Sequence, residues 1–225
     1  MSPAYLLVPG AGGVAAYWRL VAADLERRGL DAVAVDLPGD DDSAGLPEYV
    51  ELIVRAGSDL GDIVVVGQSM GAFSASLAAP QLPAQRIVLV NPMIPAPGET
   101  PGEWWEATGQ PEAKRRKDLR EGRDPHAPFD LATYFLHDTP ADLVEEVMAT
   151  SRPESDAAFG SPWTLPAWPG VPTTVIAAAE DRFFPLDFQR RVSEERLGLA
   201  PVTLPGGHLV ALSHPQELVD LLVAS

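Results

Sequence analysis

The stretch Gly67-Gln68-Ser69-Met70-Gly71 decides the fold, because it places a serine between two glycines directly after the apolar run Ile63-Val64-Val65-Val66. A helical pattern starts at Met70 and extends over residues 70–79. A strand, a G-x-S-x-G turn and a helix in this order are typical of a nucleophile elbow, which raises a serine hydroxyl above the edge of a sheet. The turn is so tight that a Cβ at either glycine would crowd the backbone. The sequence therefore predicts Ser69 as a nucleophile.

Apolar runs rich in β-branched residues recur along the chain, with amphipathic stretches between them. Such runs are typical of parallel strands that are buried on both faces. Their alternation with helical patterns predicts an α/β fold with a mostly parallel central sheet and helices on both faces. Strands are expected at residues 6–8, 32–35, 63–66, 87–90, 173–178 and 202–204, and helices at 18–25, 46–58, 70–79 and 184–197. A last helix is expected after the capping box Ser213-His214-Pro215-Gln216.

Residues 92–169 interrupt this alternation, since they contain no convincing buried strand. They hold four of the five tryptophans and the basic cluster Lys114-Arg115-Arg116-Lys117, with helical patterns at 104–110, 111–121 and 141–150. We interpret them as a helical cap insertion on a core formed by residues 1–91 and 170–225. Surface connections are the alternative, but a structureless loop of this length is unusual in a compact domain.

A serine nucleophile needs a base, and the chain has four histidines. His208 follows the last strand, so it lies at the edge of the parallel sheet that also carries the elbow. His214 is expected to help cap the last helix, and His126 and His137 fall in the insertion. His137 could face the pocket, but its sequence context favours a position on the surface or in the core. The sequence predicts His208 as the base.

Asp181 follows the strand at residues 173–178, which gives the order serine, aspartate, histidine that this fold uses. An acid in this place orients the base and stabilises the imidazolium ion. Glu180 is the alternative acid. A second placement, after the preceding strand, is occupied by Asn91, which cannot carry the charge.

The loop Pro9-Gly10-Ala11-Gly12-Gly13 follows the first strand and is expected to form half of an oxyanion hole. In this fold one donor is the N–H of the residue after the nucleophile, here Met70, and the other comes from this loop, here Ala11. The glycine spacing does not match a dinucleotide fingerprint, because position 15 is alanine. The residues expected to line the substrate pocket are Gly10, Gly12, Trp104, Tyr134, His137 and Leu209.

Composition narrows the possible partners. The 225 residues carry a formal net charge of −16, which disfavours binding to nucleic acid or to an anionic membrane. The chain has no cysteine, which excludes disulfides and thiolate metal sites, and no apolar stretch approaches a membrane span. The N-terminal residues fit a strand and not a signal peptide, so we expect a cytoplasmic protein. The oligomeric state is left open.

Together these motifs resemble the α/β hydrolases, and in particular the branch of plant methylesterases and hydroxynitrile lyases with its uncharacterised actinobacterial relatives. The resemblance rests on the loop at residues 9–11, on Asp36-Leu37-Pro38-Gly39, on the elbow, on Asp181-Arg182-Phe183-Phe184-Pro185 and on Gly207-His208-Leu209. It implies a catalytic triad of Ser69, Asp181 and His208, with Ala11 and Met70 as oxyanion donors.

The chain departs from that branch at two places. Members usually have histidine where this chain has Pro9, a structural position. Members that cleave cyanohydrins have threonine in place of Gly10 and lysine in place of Leu209. Because leucine cannot hold departing cyanide, the resemblance implies an esterase.

We expect cleavage of a carboxylic ester or related acyl compound through an acyl-enzyme, without metal or cofactor. The aromatic insertion favours an apolar or aromatic small molecule as substrate. Two rival functions are a lyase or C–C bond hydrolase on the same triad, and a small-molecule-binding protein that retains the scaffold without catalysis.

Overall fold

The apolar runs form one sheet of six strands in a computed structural model that describes residues 2–224. Every neighbouring pair of strands is parallel, and the order across the sheet is β2-β1-β3-β4-β5-β6. The strands are β1 (Ala4–Val8), β2 (Ala32–Ala34), β3 (Ile63–Gln68), β4 (Ala84–Val90), β5 (Thr173–Ala178) and β6 (Val202–Leu204). The predicted parallel sheet is confirmed.

Helices connect these strands and cover both faces of the sheet, as predicted. They are α1 (Arg19–Arg27), α2 (Leu46–Gly57), α3 (Gly71–Ala78), α4 (Pro101–Thr108), α5 (Gln110–Arg120), α6 (Leu131–Tyr134), α7 (Ala141–Thr150), α8 (Asp156–Gly160), α9 (Leu186–Leu197), α10 (Val210–Ser213) and α11 (Pro215–Ala224). The sequence did not predict α6, α8 and α10, since a single turn is too short to show a helical period. Asp130 and Ser155 cap α6 and α8 by accepting hydrogen bonds from backbone N–H groups.

Side chains from successive positions of one strand enter two separate apolar clusters. Leu6 and Val8 of β1 pack on the side of α2, α3 and α9, whereas Tyr5 and Leu7 pack on the side of α1 and α11. Both faces of the sheet are therefore buried, which explains why the strands are apolar without alternation.

The capping box predicted at the start of the last helix is wrong. Ser213 is the last residue of α10, and its hydroxyl lies 3.0 Å from Nδ1 of His214. His214 separates the two helices, and its carbonyl oxygen accepts the N–H of Leu218. The chain starts α11 at Pro215, where a missing N–H costs nothing, so the serine is one residue too early to cap.

The segment between β4 and β5 contains five helices, α4 to α8, and no strand among its described residues. Trp163 anchors it to α3, because the buried indole donates a hydrogen bond of 2.9 Å to the hydroxyl of Ser76. By contrast, α7 has no buried residue. The division into a core (1–91 and 170–225) and a cap insertion (92–169) stays a prediction. Within residues 2–224, no helix has both the length and the apolar character needed to cross a membrane.

Candidate active site

Ser69 occupies a strained turn between β3 and α3. Its φ of +51° lies in the left-handed region, which costs energy for a residue with a Cβ. A Cβ at Gly67 would lie 2.8 Å from the Cβ of Ala75, and a Cβ at Gly71 would clash with the carbonyl oxygen of Pro9. The two glycines are therefore required by close packing around the elbow, as the sequence predicted.

The structure brings Ser69, His208 and Asp181 together at the carboxyl edge of the sheet. Nε2 of His208 lies 3.1 Å from Oγ of Ser69, and Nδ1 of His208 lies 2.8 Å from Oδ2 of Asp181. Oδ1 of Asp181 accepts the backbone N–H groups of Phe183 and Phe184 at 2.8 and 2.9 Å. His208 is 1% exposed and Asp181 is 0% exposed, so water does not compete for these hydrogen bonds. The chain of contacts can pass a proton from the serine hydroxyl to the imidazole.

The alternative acid and the other histidines lie elsewhere. Glu180 is exposed, and its carboxylate accepts the N–H of Gly206. His126 is exposed, and His214 borders α11. Nδ1 of His137 lies 4.0 Å from Asp138, and burial lowers the pKa of His137. None of these side chains takes the place of His208 or Asp181 in the hydrogen-bonded chain.

Asn91 holds the backbone of the His208 loop, a role that the sequence analysis missed. Its fully buried side chain donates to the carbonyl oxygens of Gly207 and His208 at 3.1 and 3.0 Å, and accepts the N–H of Ala178 at 2.7 Å. Its φ of +44° is one that asparagine tolerates better than most residues. A polar amide directly after a buried strand is the signal in the sequence, but an amide does not by itself indicate which backbone groups it binds.

Three phenylalanine rings surround the imidazole of His208. Phe135 stacks on it with ring centroids 4.5 Å apart and an angle of 25° between the planes. Phe183 and Phe184 present edge contacts at 5.4 and 4.9 Å. Ring contacts at these distances fix the plane of the imidazole and keep the proton path dry.

The predicted oxyanion donors flank the nucleophile. A Cβ at Gly10 would lie 3.0 Å from Cβ of Ser69, so the loop after β1 runs directly beside the elbow. Within residues 2–224, the N–H groups of Ala11 and Met70 have no hydrogen-bond partner in the protein. Two such N–H groups are suited to bind an oxygen that gains negative charge during a reaction.

A cavity of about 430 Å³ opens beside this loop. Its apolar wall includes Leu131, Phe135, Leu209 and Leu212, and its charged side includes Arg19, Glu146, Arg152 and Glu154. Of the predicted pocket residues, Gly10 and Leu209 line this cavity, and Ala11 does so as well.

The remaining predicted pocket residues, Gly12, Trp104, Tyr134 and His137, are not among those lining the cavity. Trp104 is fully buried against Phe184 and donates from its indole to the carbonyl oxygen of Ile94 at 2.9 Å. The buried Tyr134 hydroxyl donates to Asp118 at 2.9 Å. Trp104 therefore packs between its segment and Phe184 and Phe188, whereas Tyr134 packs within the segment. An aromatic residue in a pocket has the same sequence signal.

Within residues 2–224, no group of three or more His, Cys, Asp and Glu side chains is placed to hold a metal ion.

Comparison with known proteins places this architecture among the α/β hydrolases. The sequence model of the alpha/beta hydrolase family matches residues 5–221. Methylesterase 7 of Arabidopsis thaliana is 27% identical in an alignment 260 residues long. The alignment covers 97% of this chain and 94% of that protein.

Solved structures agree in fold. The crystal structure of polyneuridine aldehyde esterase superposes with a TM-score of 0.80 at 21% identity, covering 100% of this chain and 99% of the other. That of a pyrethroid hydrolase from Sphingobium faniae gives 0.74 at 22% identity, covering 99% and 96%. These matches confirm the predicted resemblance, with a plant methylesterase among the relatives, and the chain belongs to the α/β-hydrolase family.

Proposed function

We propose that this enzyme is a serine hydrolase that cleaves a carboxylic ester or a related acyl compound through an acyl-enzyme. The observation that carries the proposal is the continuous hydrogen-bonded chain from Ser69 Oγ through the imidazole of His208 to Asp181. A protein that only binds a small molecule does not need this series of hydrogen bonds.

The reaction begins when His208 takes the hydroxyl proton of Ser69 and the serine oxygen attacks the acyl carbonyl. Asp181 holds the tautomer in which Nε2 is free to accept that proton, and stabilises the imidazolium ion that forms. The N–H groups of Ala11 and Met70 bind the oxyanion of the tetrahedral intermediate.

Collapse of the intermediate breaks the ester bond, and His208 returns its proton to the departing alcohol. Water then attacks the acyl-enzyme with His208 again as base, which releases the acid and restores Ser69. The proposal requires no cofactor, because the chain supplies nucleophile, base, acid and oxyanion donors.

The cavity favours an apolar or aromatic acyl compound. On the apolar side of the cavity, the side chains of Phe135, Leu209 and Leu212 cannot donate hydrogen bonds or hold a departing anion. On the charged side, Arg19 and Arg152 are already paired with Glu146 and Asp36. Cleavage of esters is also the activity in the names of relatives, a methylesterase and an esterase among them. The Leu209 side chain disfavours a lyase that must stabilise a small anion.

Labelling with a fluorophosphonate tests the proposal, because this probe reacts with an activated serine. We expect the wild type to be labelled and, in a separate assay, to hydrolyse p-nitrophenyl esters. Ser69→Ala should abolish both, whereas Ser58→Ala, which changes an exposed serine at the end of α2, should leave both unchanged.

A folded wild type that takes no label would contradict the enzyme mechanism. Label that persists in Ser69→Ala would show that another nucleophile reacts. Labelling together with turnover of β-diketones and none of esters would favour the C–C bond hydrolase.

A further inference from the structure

Residues 152–155, which lie between α7 and α8, contact the oxyanion loop at Gly12 and Gly13. Glu154 accepts the N–H of Gly12 at 2.5 Å through Oε2, and Arg152 donates to the carbonyl oxygen of Gly13 at 3.2 Å. The N–H of Ser155 donates to the carbonyl oxygen of Gly39 at 2.7 Å. A part of the chain far from the nucleophile in sequence thus binds two successive residues of the loop, Gly12 through its N–H and Gly13 through its carbonyl oxygen.

Glu154 is itself held in place by a second donor. The hydroxyl of Tyr49, a residue of α2 that is 2% exposed, donates to Oε1 of Glu154 at 2.6 Å. The carboxylate therefore joins α2 to the loop, with one oxygen for each donor. Burial raises the pKa of Glu154, so the ionised side chain is kept here at some cost in stability.

These outside contacts add to the loop's own turn, in which the N–H of Gly13 donates to the carbonyl oxygen of Gly10 at 3.1 Å. Gly12 and Gly13 have φ values of +85° and +67°, and glycine has little preference of its own between left-handed and right-handed backbone. A Cβ at Gly12 would lie 2.5 Å from the carbonyl oxygen of Arg152, so residues 152–155 pack directly against the glycine backbone. The Gly12 peptide adjoins Ala11, so its orientation is coupled to that of the neighbouring Ala11 N–H.

We propose that Glu154 is a positioning residue for the oxyanion hole, an inference that rests on the proposed function. By binding the Gly12 N–H, its carboxylate fixes the loop so that the Ala11 N–H faces the site of the oxyanion. The effect operates through hydrogen-bond acceptance at a defined reach, and the negative charge is not required for it.

Three variants separate hydrogen-bond acceptance, negative charge and the reach of the side chain. Glu154→Gln keeps an acceptor oxygen at the same reach without the charge, and Glu154→Met fills the same space without an acceptor. Glu154→Asp keeps the charge but shortens the reach by roughly 1.5 Å, one C–C bond. Each is compared with wild type by the second-order rate constant for fluorophosphonate labelling, and by kcat and KM for p-nitrophenyl acetate.

We expect Glu154→Gln to label within about threefold of the wild-type rate. Glu154→Met and Glu154→Asp should be slower by about tenfold, less than the 10²–10³ typical of a donor removed outright, because the Ala11 N–H is misplaced and still present. The loss should fall on kcat, with KM for the small ester unchanged, because the loop acts on the transition state. Thermal unfolding of each variant checks that the protein is folded.

Glu154→Met or Glu154→Asp at the wild-type labelling rate would overturn the inference, as would Glu154→Gln as slow as Glu154→Met. If Glu154→Met does not fold, the comparison of Glu154→Gln with Glu154→Asp decides alone. A wild type that takes no label contradicts the proposed function itself, so the two failures are distinct.

Discussion

The carboxyl edge of the sheet and the segment between β4 and β5 both contact the proposed catalytic groups, but by different means. At the sheet edge, Asp181 and Asn91 are fully buried and bind backbone N–H and carbonyl groups. In the segment, α7 has no buried residue, and its Glu146 pairs with Arg19 where both side chains are partly exposed. Buried hydrogen bonds are costly to break, whereas exposed ion pairs contribute little.

The difference separates two tasks within one site. The sheet edge fixes the atoms that must exchange a proton, and its geometry is maintained by strands on either side. The segment supplies part of the cavity wall, the ring of Phe135 and the carboxylate of Glu154. Substitutions at the sheet edge should therefore cost more than substitutions in the segment.

The largest effect is expected from Asp181→Asn. Two N–H groups, of Phe183 and Phe184, point at Oδ1, so the new amide should keep its oxygen there and turn its NH₂ toward His208. Nδ1 must then accept, which places the proton on Nε2 and leaves no base for Ser69. We expect kcat to fall by roughly 10³–10⁴-fold for p-nitrophenyl esters, the scale of the wrong tautomer in serine proteases.

Glu180→Gln is the matched control for Asp181→Asn, since it neutralises the adjacent carboxylate. Glu180 binds the Gly206 N–H, and an amide oxygen can accept the same bond. We expect less than about tenfold loss of kcat. Equal losses in the two variants would mean that Asp181 has no special role.

The next largest effect is expected at Asn91, where a substitution should first reduce the stability of the protein. Asn91→Asp places a buried carboxylate against the carbonyl oxygens of Gly207 and His208, which repel it. We expect a loss of about 3–5 kcal/mol in the free energy of unfolding in urea, the usual cost of an uncompensated buried charge.

Asn91→Gly controls for the backbone. Glycine accepts the φ of +44° without strain, so it removes the side chain and its hydrogen bonds without straining the backbone. We expect Asn91→Gly to fall between wild type and Asn91→Asp. If Asn91→Asp is as stable as wild type, the two carbonyl contacts do not hold the loop.

The sequence predicted the sheet edge far better than the segment. Ser69 and Asp181 each follow a strand with a strong apolar pattern, His208 follows the short strand β6, and parallel strands bring their carboxyl ends to one edge. Asn91 follows a strand as well, but its partners are backbone carbonyls, which leave no mark in the sequence. Hydrogen bonds such as those of Asn91 become visible only when the loops are folded together.

In the segment, the sequence could not separate packing from recognition. Trp104 and Tyr134 were expected in the pocket and instead fill the interior, whereas Phe135, next to Tyr134, contacts the imidazole. A shift of one residue on a short helix changes the direction of a side chain by about 100°. A one-turn helix such as α6 has no period from which that direction can be predicted.

The smallest effect concerns the pH dependence of stability, and it compares two carboxylates of the segment. Burial raises the pKa of Glu154, so the folded protein binds the proton more tightly than the unfolded chain. The stability that this group contributes is complete below the unfolded pKa and is lost as pH rises through the folded pKa. Glu154→Gln removes that loss. The Tm of Glu154→Gln minus the Tm of wild type should therefore increase from about pH 4 to about pH 8.

Glu146 provides the opposite sign within the same segment. The hydrogen bond from Arg19 lowers the pKa of Glu146, so its contribution is present above the unfolded pKa and is lost as pH falls through the folded one. Glu146→Gln should reduce Tm at neutral pH, and its difference from wild type should vanish in acid. If the Tm differences of both variants from wild type change with pH in the same direction, burial does not set the pKa of Glu154. The carboxylate that binds the oxyanion loop would then be solvated like any other carboxylate on the surface.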